Sequence, residues 1–107
     1  MMRAIWNGTI IAESDDTIEA DGHIYFFPPQ SIAQKLFAKS KTTHVHPWLG
    51  KMVYYDVTVT GRTNHEAAWY YPDPPESMTP IKNYVTFSKT IILEGGKPNK
   101  KLERSRF

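Results

Sequence analysis

The stretch "MVYYDVTVT", residues 52–60, is the part of the sequence that decides the fold. Apolar side chains occupy every second position from Val53, and more polar side chains occupy most of the positions between them. Successive side chains of a β-strand point to opposite faces, so this alternation predicts a strand with one apolar face. The apolar face holds Val53, Tyr55, Val57 and Val59, and the other face holds Tyr54, Asp56, Thr58 and Thr60.

Turn signals occur before and after this strand. Asn7-Gly8 and Asp21-Gly22 each lie between short apolar stretches. Both central residues of a type I′ turn need positive φ, which Asn, Asp and Gly tolerate, so each pair predicts a tight β-hairpin. In the second hairpin we expect Ile18 to face Tyr25 across the strands. The segment "GRTN", residues 61–64, predicts the turn after the alternating strand.

A different period appears in "PPQSIAQKLFAKS", residues 28–40. Ile32, Leu36 and Phe37 recur at helical spacing, and two prolines suit the start of a helix. This pattern predicts one short helix near residues 29–39.

The rest of the chain is read as strands and one loop. The segments "EAAWYY" (66–71) and "YVTFSKTIILE" (84–94) each predict a strand, and "PDPPESMTP" (72–80) predicts an irregular loop because its prolines remove hydrogen-bond donors. Strands do not alternate with helices along the sequence, as they would in a protein with a parallel sheet. We therefore expect a mainly β, antiparallel domain of at least six strands in two packed sheets, with one short helix.

The sequence predicts one domain and a tail. Residues 1–94 carry all the predicted elements, and a chain of 107 residues suits a single core. Residues 95–107 contain five Lys or Arg against one acid, with Gly and Pro and without apolar periodicity. We expect this basic C-terminal tail to be flexible and solvated.

Composition excludes several classes of site. The chain contains no cysteine, which excludes disulfides, thiolate nucleophiles, iron–sulfur clusters and cysteine-based zinc sites. No stretch approaches the roughly 18 to 20 apolar residues of a membrane span, and no signal peptide precedes the first hairpin. We expect a cytoplasmic protein without a cofactor.

Four blocks of the sequence occur together in one known family. They are "WNGTIIAESDDT" (6–17), "YFFPP" (25–29), "HPWLGKMVYYDV" (46–57) and "NHEAAWYYPDPP" (64–75). In these blocks the chain resembles the uncharacterised bacterial family numbered 427 among the domains of unknown function, over about Arg3 to Leu93. The word nucleotidyltransferase sometimes accompanies that family's name, but this sequence has no Gly-Ser nucleotide loop or paired Asp motif.

The resemblance implies a small antiparallel fold similar to the β-tent, Mss4-like domains, in which two sheets lean together over a groove. Relatives of that fold bind zinc through cysteines, which this chain lacks, so a structural zinc is not implied. The family's Cys-Pro-aromatic-Lys-Gly motif corresponds here to His46-Pro47-Trp48-Leu49-Gly50. Both the Cys and the Lys are replaced, so a role that depends on either is not implied.

Aromatic and polar residues predict a ligand-binding groove. Binding sites combine apolar walls with a few polar groups, and this chain offers both around its alternating strand. The predicted ligand-binding residues are His46, Trp48, Tyr54, Asp56, Trp69, Tyr71 and Lys89. The alternative is that these aromatic residues form an ordinary core.

Two of these residues carry a specific expectation. Pro47 and Gly50 interrupt the β pattern, so they should form a turn that places a partly buried Trp48 over the groove mouth. Lys89 shares a predicted strand face with apolar residues, so it either protects a sheet edge or lies in a pocket and meets an acidic ligand.

Histidines allow a metal-binding alternative. His44 and His46 stand two apart, so on a strand both rings point to one face about 6.5 to 7 Å apart, a spacing that two metal ligands can use. A metal site needs a third ligand, for which the candidates are Asp56, His65, Glu66 and His23. The other interpretation is that these are ordinary strand histidines, and we expect no metal.

The leading hypothesis is therefore a ligand-binding or assembly module with an aromatic groove, with an unknown small molecule or protein as partner. One alternative is a metal-assisted hydrolase that uses His44 and His46. Another is a weak nucleic-acid binder that uses the basic tail, since phosphates attract such tails. We expect no membrane association and no primary nucleic-acid role, and a homodimer is left open.

Overall fold

The computed structural model describes residues 1–102 and contains ten strands and three 3-10 helices within that range. The strands are β1 Met2–Trp6, β2 Thr9–Ser14, β3 Ile18–Ala20, β4 Ile24–Phe26, β5 Phe37–His46, β6 Gly50–Val59, β7 Arg62–Tyr70, β8 Val85–Phe87, β9 Ile92–Glu94 and β10 Lys100–Leu102. The 3-10 helices are η1 Pro29–Ser31, η2 Gln34–Leu36 and η3 Glu76–Ile81.

The described strands form three small sheets, where the sequence predicted two. Their strand orders are β2-β1-β9, β10-β3-β4 and β5-β6-β7-β8. Every pair is antiparallel except β10 with β3. The mainly β, mostly antiparallel class is therefore confirmed, and the similarity to β-tent folds stays a prediction.

Both predicted hairpin turns are present. Asn7 and Gly8 have φ of 49° and 73°, and Asp21 and Gly22 have φ of 57° and 75°. Asn7 also ties its hairpin to the large sheet, because its Nδ2 donates to the backbone oxygen of Val59 at 3.1 Å.

The register of the second hairpin differs from the prediction by one residue. Ile18 lies opposite Phe26, and Glu19 lies opposite Tyr25. The cause is a third loop residue, His23, which follows Asp21-Gly22 before pairing begins at Ala20 and Ile24. A one-residue shift changes which side chains face each other across the strands.

The alternating strand has the predicted faces over its second half. Val57 and Val59 are buried, and Thr58 between them is exposed. The following turn is centred on Thr60 and Gly61, both with positive φ, so β7 already begins at Arg62. The predicted turn at 61–64 therefore lies too far along the chain.

The predicted helix at 29–39 is wrong as a continuous element. Two single-turn 3-10 helices, η1 and η2, occupy its first part, and its end belongs to β5. Between them Ile32 is extended and forms a bridge with Ala12, and the Ala33 amide donates to the Ile11 oxygen at 2.8 Å. This long-range pairing overrides the local helical pattern.

The segments 72–80 and 84–94 also differ from expectation. The predicted loop contains η3, from which Met78 and Ile81 are buried. The predicted last strand divides into β8 and β9, which belong to different sheets. A turn separates them, in which the Ile91 amide donates to the Ser88 oxygen at 3.1 Å.

Two groups of buried side chains hold the sheets together. The larger core contains Met2, Ala4, Ile11, Ala12, Phe27, Ile32, Val57, Val59, Ala67, Ala68, Val85 and Ile91. The smaller core contains Ile18, Ala20, Phe26, Leu49, Tyr71, Met78 and Ile81. Phe26 and Phe27 are consecutive, so β4 and the residue after it contribute to both cores.

The C-terminal segment contains a strand. Lys100–Leu102 form β10 alongside β3, and the Asn99 amide donates to the Thr17 oxygen at 2.8 Å. Lys101 Nζ lies 3.8 Å from a carboxylate oxygen of Glu19. The predicted flexible tail at 95–107 thus includes a strand, and its last residues, 103–107, lie outside the described part of the chain.

No helix within residues 1–102 is long and apolar enough to cross a membrane.

Leu49 should be a main support of the smaller core. Its side chain is fully buried although it lies in the turn between β5 and β6. Leu49→Ala removes buried methyl groups and leaves a cavity, so we expect a loss of about 2 to 5 kcal/mol of unfolding free energy. Val45→Ala, at a side chain that is 78% exposed on the same hairpin, is the matched control and should change stability by less than about 0.5 kcal/mol. Chemical denaturation measures both, and equal effects would contradict this role of Leu49.

Candidate functional site

A cavity of about 420 Å³ lies between β4 and β8. Its lining residues come from one run before Phe27, one run after Val85, the facing strands of the large sheet, and β9. They are His23, Ile24, Tyr25, Phe26, His46, Met52, Trp69, Tyr71, Thr86, Phe87, Ser88, Lys89 and Leu93. The cavity therefore touches the partly buried edges of both cores.

The cavity exists because β4 and β8 pair at one point only. Phe27 and Val85 form an isolated antiparallel bridge, with two reciprocal backbone hydrogen bonds of 2.7 Å. Beyond the bridge, β4 pairs with β3 and β8 pairs with β7. No further backbone pairing between β4 and β8 occurs within residues 1–102. The cavity lies between residues 23–26, which precede Phe27, and residues 86–89, which follow Val85.

Trp69 and Tyr71 form an aromatic wall. They are two residues apart at the end of β7, and Trp69 Nε1 donates to the Tyr71 hydroxyl oxygen at 3.3 Å. Tyr71 is only 3% exposed, with the ring of Phe26 at 6.4 Å and that of His46 at 6.0 Å. Burial raises the pKa of Tyr71 above its ordinary value, which the hydrogen bond from Trp69 partly offsets. The wall is thus neutral and mostly fixed by its own contacts.

His46 has a structural role in the turn that follows it. Its Nδ1 accepts hydrogen bonds from the backbone amides of Trp48 at 3.1 Å and Leu49 at 3.0 Å. Because Nδ1 is an acceptor, the neutral ring carries its proton on Nε2. The ring therefore stands in a fixed orientation where it lines the cavity.

The second hairpin supplies the opposite wall. The Tyr25 hydroxyl donates a hydrogen bond to Glu19 Oε1 at 2.9 Å. This hydrogen bond is the largest cause of the raised pKa of Tyr25, and burial is the second. His23 Nδ1 lies 2.7 Å from the backbone oxygen of Asp21. A carbonyl oxygen only accepts, so Nδ1 donates, and Nε2 is the nitrogen left for other contacts.

Lys89 lies at the cavity in the turn after β8, with an exposed side chain. The expectation that it shares a strand face is wrong, because the strand ends at Phe87. Within the described residues Lys89 makes no ion pair or hydrogen bond.

The structure brings together four of the seven predicted site residues at the cavity: His46, Trp69, Tyr71 and Lys89. Trp48 is partly buried, as the turn composition predicts, but it packs against the smaller core and does not line the cavity. Tyr54 packs behind the wall, with its ring 5.5 Å from that of Trp69.

Asp56 lies apart from the cavity. Its Oδ1 accepts the Glu66 amide at 2.8 Å, and its Oδ2 lies 3.4 Å from His65 Nδ1. These contacts occur at an irregularity in the pairing of β6 with β7, between Tyr55 and Val57. The carboxylate therefore supports a distortion of the sheet.

The residues of the metal-binding alternative are not arranged around one point. His46 caps its turn, His65 contacts Asp56, and the His44 ring packs 5.4 Å from the ring of Tyr54. Across residues 1–102, no three His, Asp or Glu side chains form a group that could hold a metal ion.

Sequence reasoning predicted Lys89 as a site residue but missed the other cavity-lining residues of the two runs, 23–26 and 86–88. The Asp21-Gly22 signal locates the first run in a hairpin, but nothing local indicates that this hairpin meets β8. That contact depends on the single bridge of Phe27 with Val85.

The raised pKa of Tyr71 predicts a loss of stability in alkali. The unfolded chain ionises this tyrosine near pH 10, while burial keeps the hydroxyl neutral in the folded state. Below pH 10 the tyrosine is neutral in both states, so the contribution of the neutral Tyr71 side chain to stability is complete. Between the unfolded and the folded pKa that contribution falls by about 1.4 kcal/mol for each unit by which the pH rises. Tyr71→Phe removes this contribution, so its stability should fall less steeply.

Urea denaturation at about pH 8 and about pH 11 measures the two slopes. The comparison at the lower pH controls for the lost hydrogen bond with Trp69, because tyrosines are neutral there in both states. Parallel pH profiles for the two proteins would contradict the assignment.

Comparison with known proteins gives one family. The model of the family described as a domain of unknown function, DUF427, matches residues 1–94, which contain every residue that lines the cavity. No curated protein matches the chain. The resemblance drawn from the four sequence blocks is thus confirmed, and the chain belongs to the DUF427 family.

Proposed function

We propose that the protein is a small-molecule-binding module and that its ligand occupies the cavity between β4 and β8. The observation that carries this proposal is the cavity itself, whose volume of about 420 Å³ falls in the range of small-molecule sites. A concave site of this size is suited to a small ligand, whereas a protein partner needs a larger and flatter surface.

The character of the walls supports the proposal. Most of the lining side chains are apolar or aromatic, among them the partly exposed Ile24, Met52 and Trp69. Such walls stabilise a bound apolar group by removing its surface and their own from water. Phe26 is fully buried, so this part of the wall needs no ordering when a ligand enters.

The polar groups at the cavity are few and mostly held in place. The Tyr71 hydroxyl accepts from Trp69, Tyr25 donates to Glu19, and His46 caps its turn. Fixed polar groups among apolar walls give a site its orientation preference at low entropic cost.

The contacts of the cavity favour binding over catalysis. Ser88 is the serine that lines it, and its Oγ lies 2.6 Å from Thr90 Oγ1, as a hydroxyl pair. A serine nucleophile needs an adjacent base, and the structure gives this serine a threonine as its side-chain partner. The histidines of the cavity are engaged by backbone groups through Nδ1.

Filling the cavity should weaken ligand binding. A screen of small aromatic and aliphatic compounds by amide chemical shifts is expected to give ligands that shift residues 23–26 and 86–89. Ile24→Trp places a larger side chain in the cavity wall, so ligand affinity should fall at least tenfold, equivalent to about 1.4 kcal/mol. Overpacking of this kind costs about 1 to 3 kcal/mol of stability, which a denaturation curve measures separately.

The matched control is Ile10→Trp, at a side chain that is 48% exposed on β2 and does not line the cavity. This variant should bind as the wild-type protein does. Ligands that shift other surfaces, or that bind Ile24→Trp unchanged, would refute the proposed site.

A further inference from the structure

We infer that the cavity selects a ligand with an apolar or aromatic body and one terminal carboxylate, and that Lys89 receives the carboxylate at the mouth. This inference rests on the proposed function and adds the chemical class of the ligand.

The mouth lies at the far ends of the two runs that leave the bridge. Phe27 and Val85 form an antiparallel bridge, so the run before Phe27 and the run after Val85 leave it in the same direction. The last lining residues of these two runs are His23 and Lys89. Both side chains are exposed and both line the cavity, which identifies the open end.

Among residues 1–102, no side chain neutralises the charge of Lys89 at this end. Within the described chain Lys89 has no ion-pair partner. Glu19, on the strand that pairs with β4, already accepts the Tyr25 hydroxyl and lies 3.8 Å from Lys101 Nζ. Asp21 lies exposed at the hairpin tip and contacts His23 through its backbone oxygen. A ligand anion would therefore meet an available cation.

His23 offers a second polar contact at the mouth. Its Nδ1 proton is directed to the Asp21 oxygen, which fixes the ring and leaves Nε2 for a ligand. Nε2 accepts a hydrogen bond when the ring is neutral and donates one when it is protonated. His23 can thus contact either form of an acid group, while Lys89 supplies the charge.

The interior restricts the charge to the mouth. None of the described lining residues is Asp or Glu, so a cationic ligand would find no counter-charge. A second charge deep among Phe26, Met52 and Trp69 would be desolvated without a partner, which is costly. A ligand with a single terminal acid on an apolar body therefore suits both the cationic mouth and the apolar interior of the cavity.

A matched series of compounds tests the inference with the whole 107-residue chain. The probes are 3-phenylpropionate, its primary amide, 3-phenylpropylamine and 2-phenylethyl phosphate, titrated at low ionic strength with amide chemical shifts as the readout. We expect 3-phenylpropionate to bind about two- to fivefold more tightly than the amide, which is the upper part of the range for a solvent-exposed ion pair. The amine should bind more weakly than the amide, and the difference between acid and amide should shrink at high salt.

Lys89→Gln should remove the preference. Affinity for 3-phenylpropionate should fall to that of the amide, and affinity for the amide should not change. Lys82→Gln, at an exposed lysine after η3 that does not line the cavity, is the matched control and should bind all four probes as the wild type does.

The outcomes separate the two proposals. Equal affinities of wild type for the acid and the amide, with shifts at residues 23–26 and 86–89, would overturn the inference and leave the binding cavity standing. Tighter binding of the phosphate than of the carboxylate would overturn the commitment to a carboxylate. Shifts confined to other surfaces, or none with any probe, would overturn both the inference and the proposed function.

Discussion

The two hydrogen bonds between Phe27 and Val85 are the constraint on which the rest of the structure depends. Both residues are almost fully buried, and each amide donates to the other's oxygen at 2.7 Å. Buried peptide groups must be paired, and in this region the pairing joins the sheet that contains β4 to the sheet that contains β8. The preceding residue, Phe26, is part of the smaller core, while Phe27 and Val85 are part of the larger one. The dipeptide Phe26-Phe27 thus connects the two sheets and contributes to both cores.

The cavity is a consequence of the same junction. β4 and β8 each have another strand as their regular partner, so they meet for one bridge and then follow different sheets. A longer ladder would close this space with backbone hydrogen bonds, and a missing bridge would leave the sheets free to move. The site therefore owes its shape to incomplete pairing, while aromatic contacts such as that of Trp69 with Tyr71 keep its wall in place.

Local chemistry predicted the local features of this fold. Positive φ at Asn7-Gly8 and at Asp21-Gly22, and burial of Val57 and Val59, follow from turn propensity and from strand alternation. Long-range pairing explains what failed. The bridge of Ile32 with Ala12 replaces a helix by two short turns. The candidate site likewise has one part that local patterns predicted and one part that they did not. Trp69 and Tyr71 share one strand end, which periodicity shows, and both line the cavity. The whole hairpin wall depends on a junction between residues 58 positions apart, Phe27 and Val85, which no local pattern reveals.

The C-terminal strand adds one more consequence. β10 covers the outer edge of β3 and lies beyond residues 1–94, the range that the family model matches. A three-residue strand held at one edge is among the parts of a protein that open first. Its opening would expose unpaired backbone groups on β3, which any extended segment can pair with, and would release Glu19 from Lys101 beside Tyr25. The stiffness of one cavity wall is thereby linked to a segment outside the shared domain.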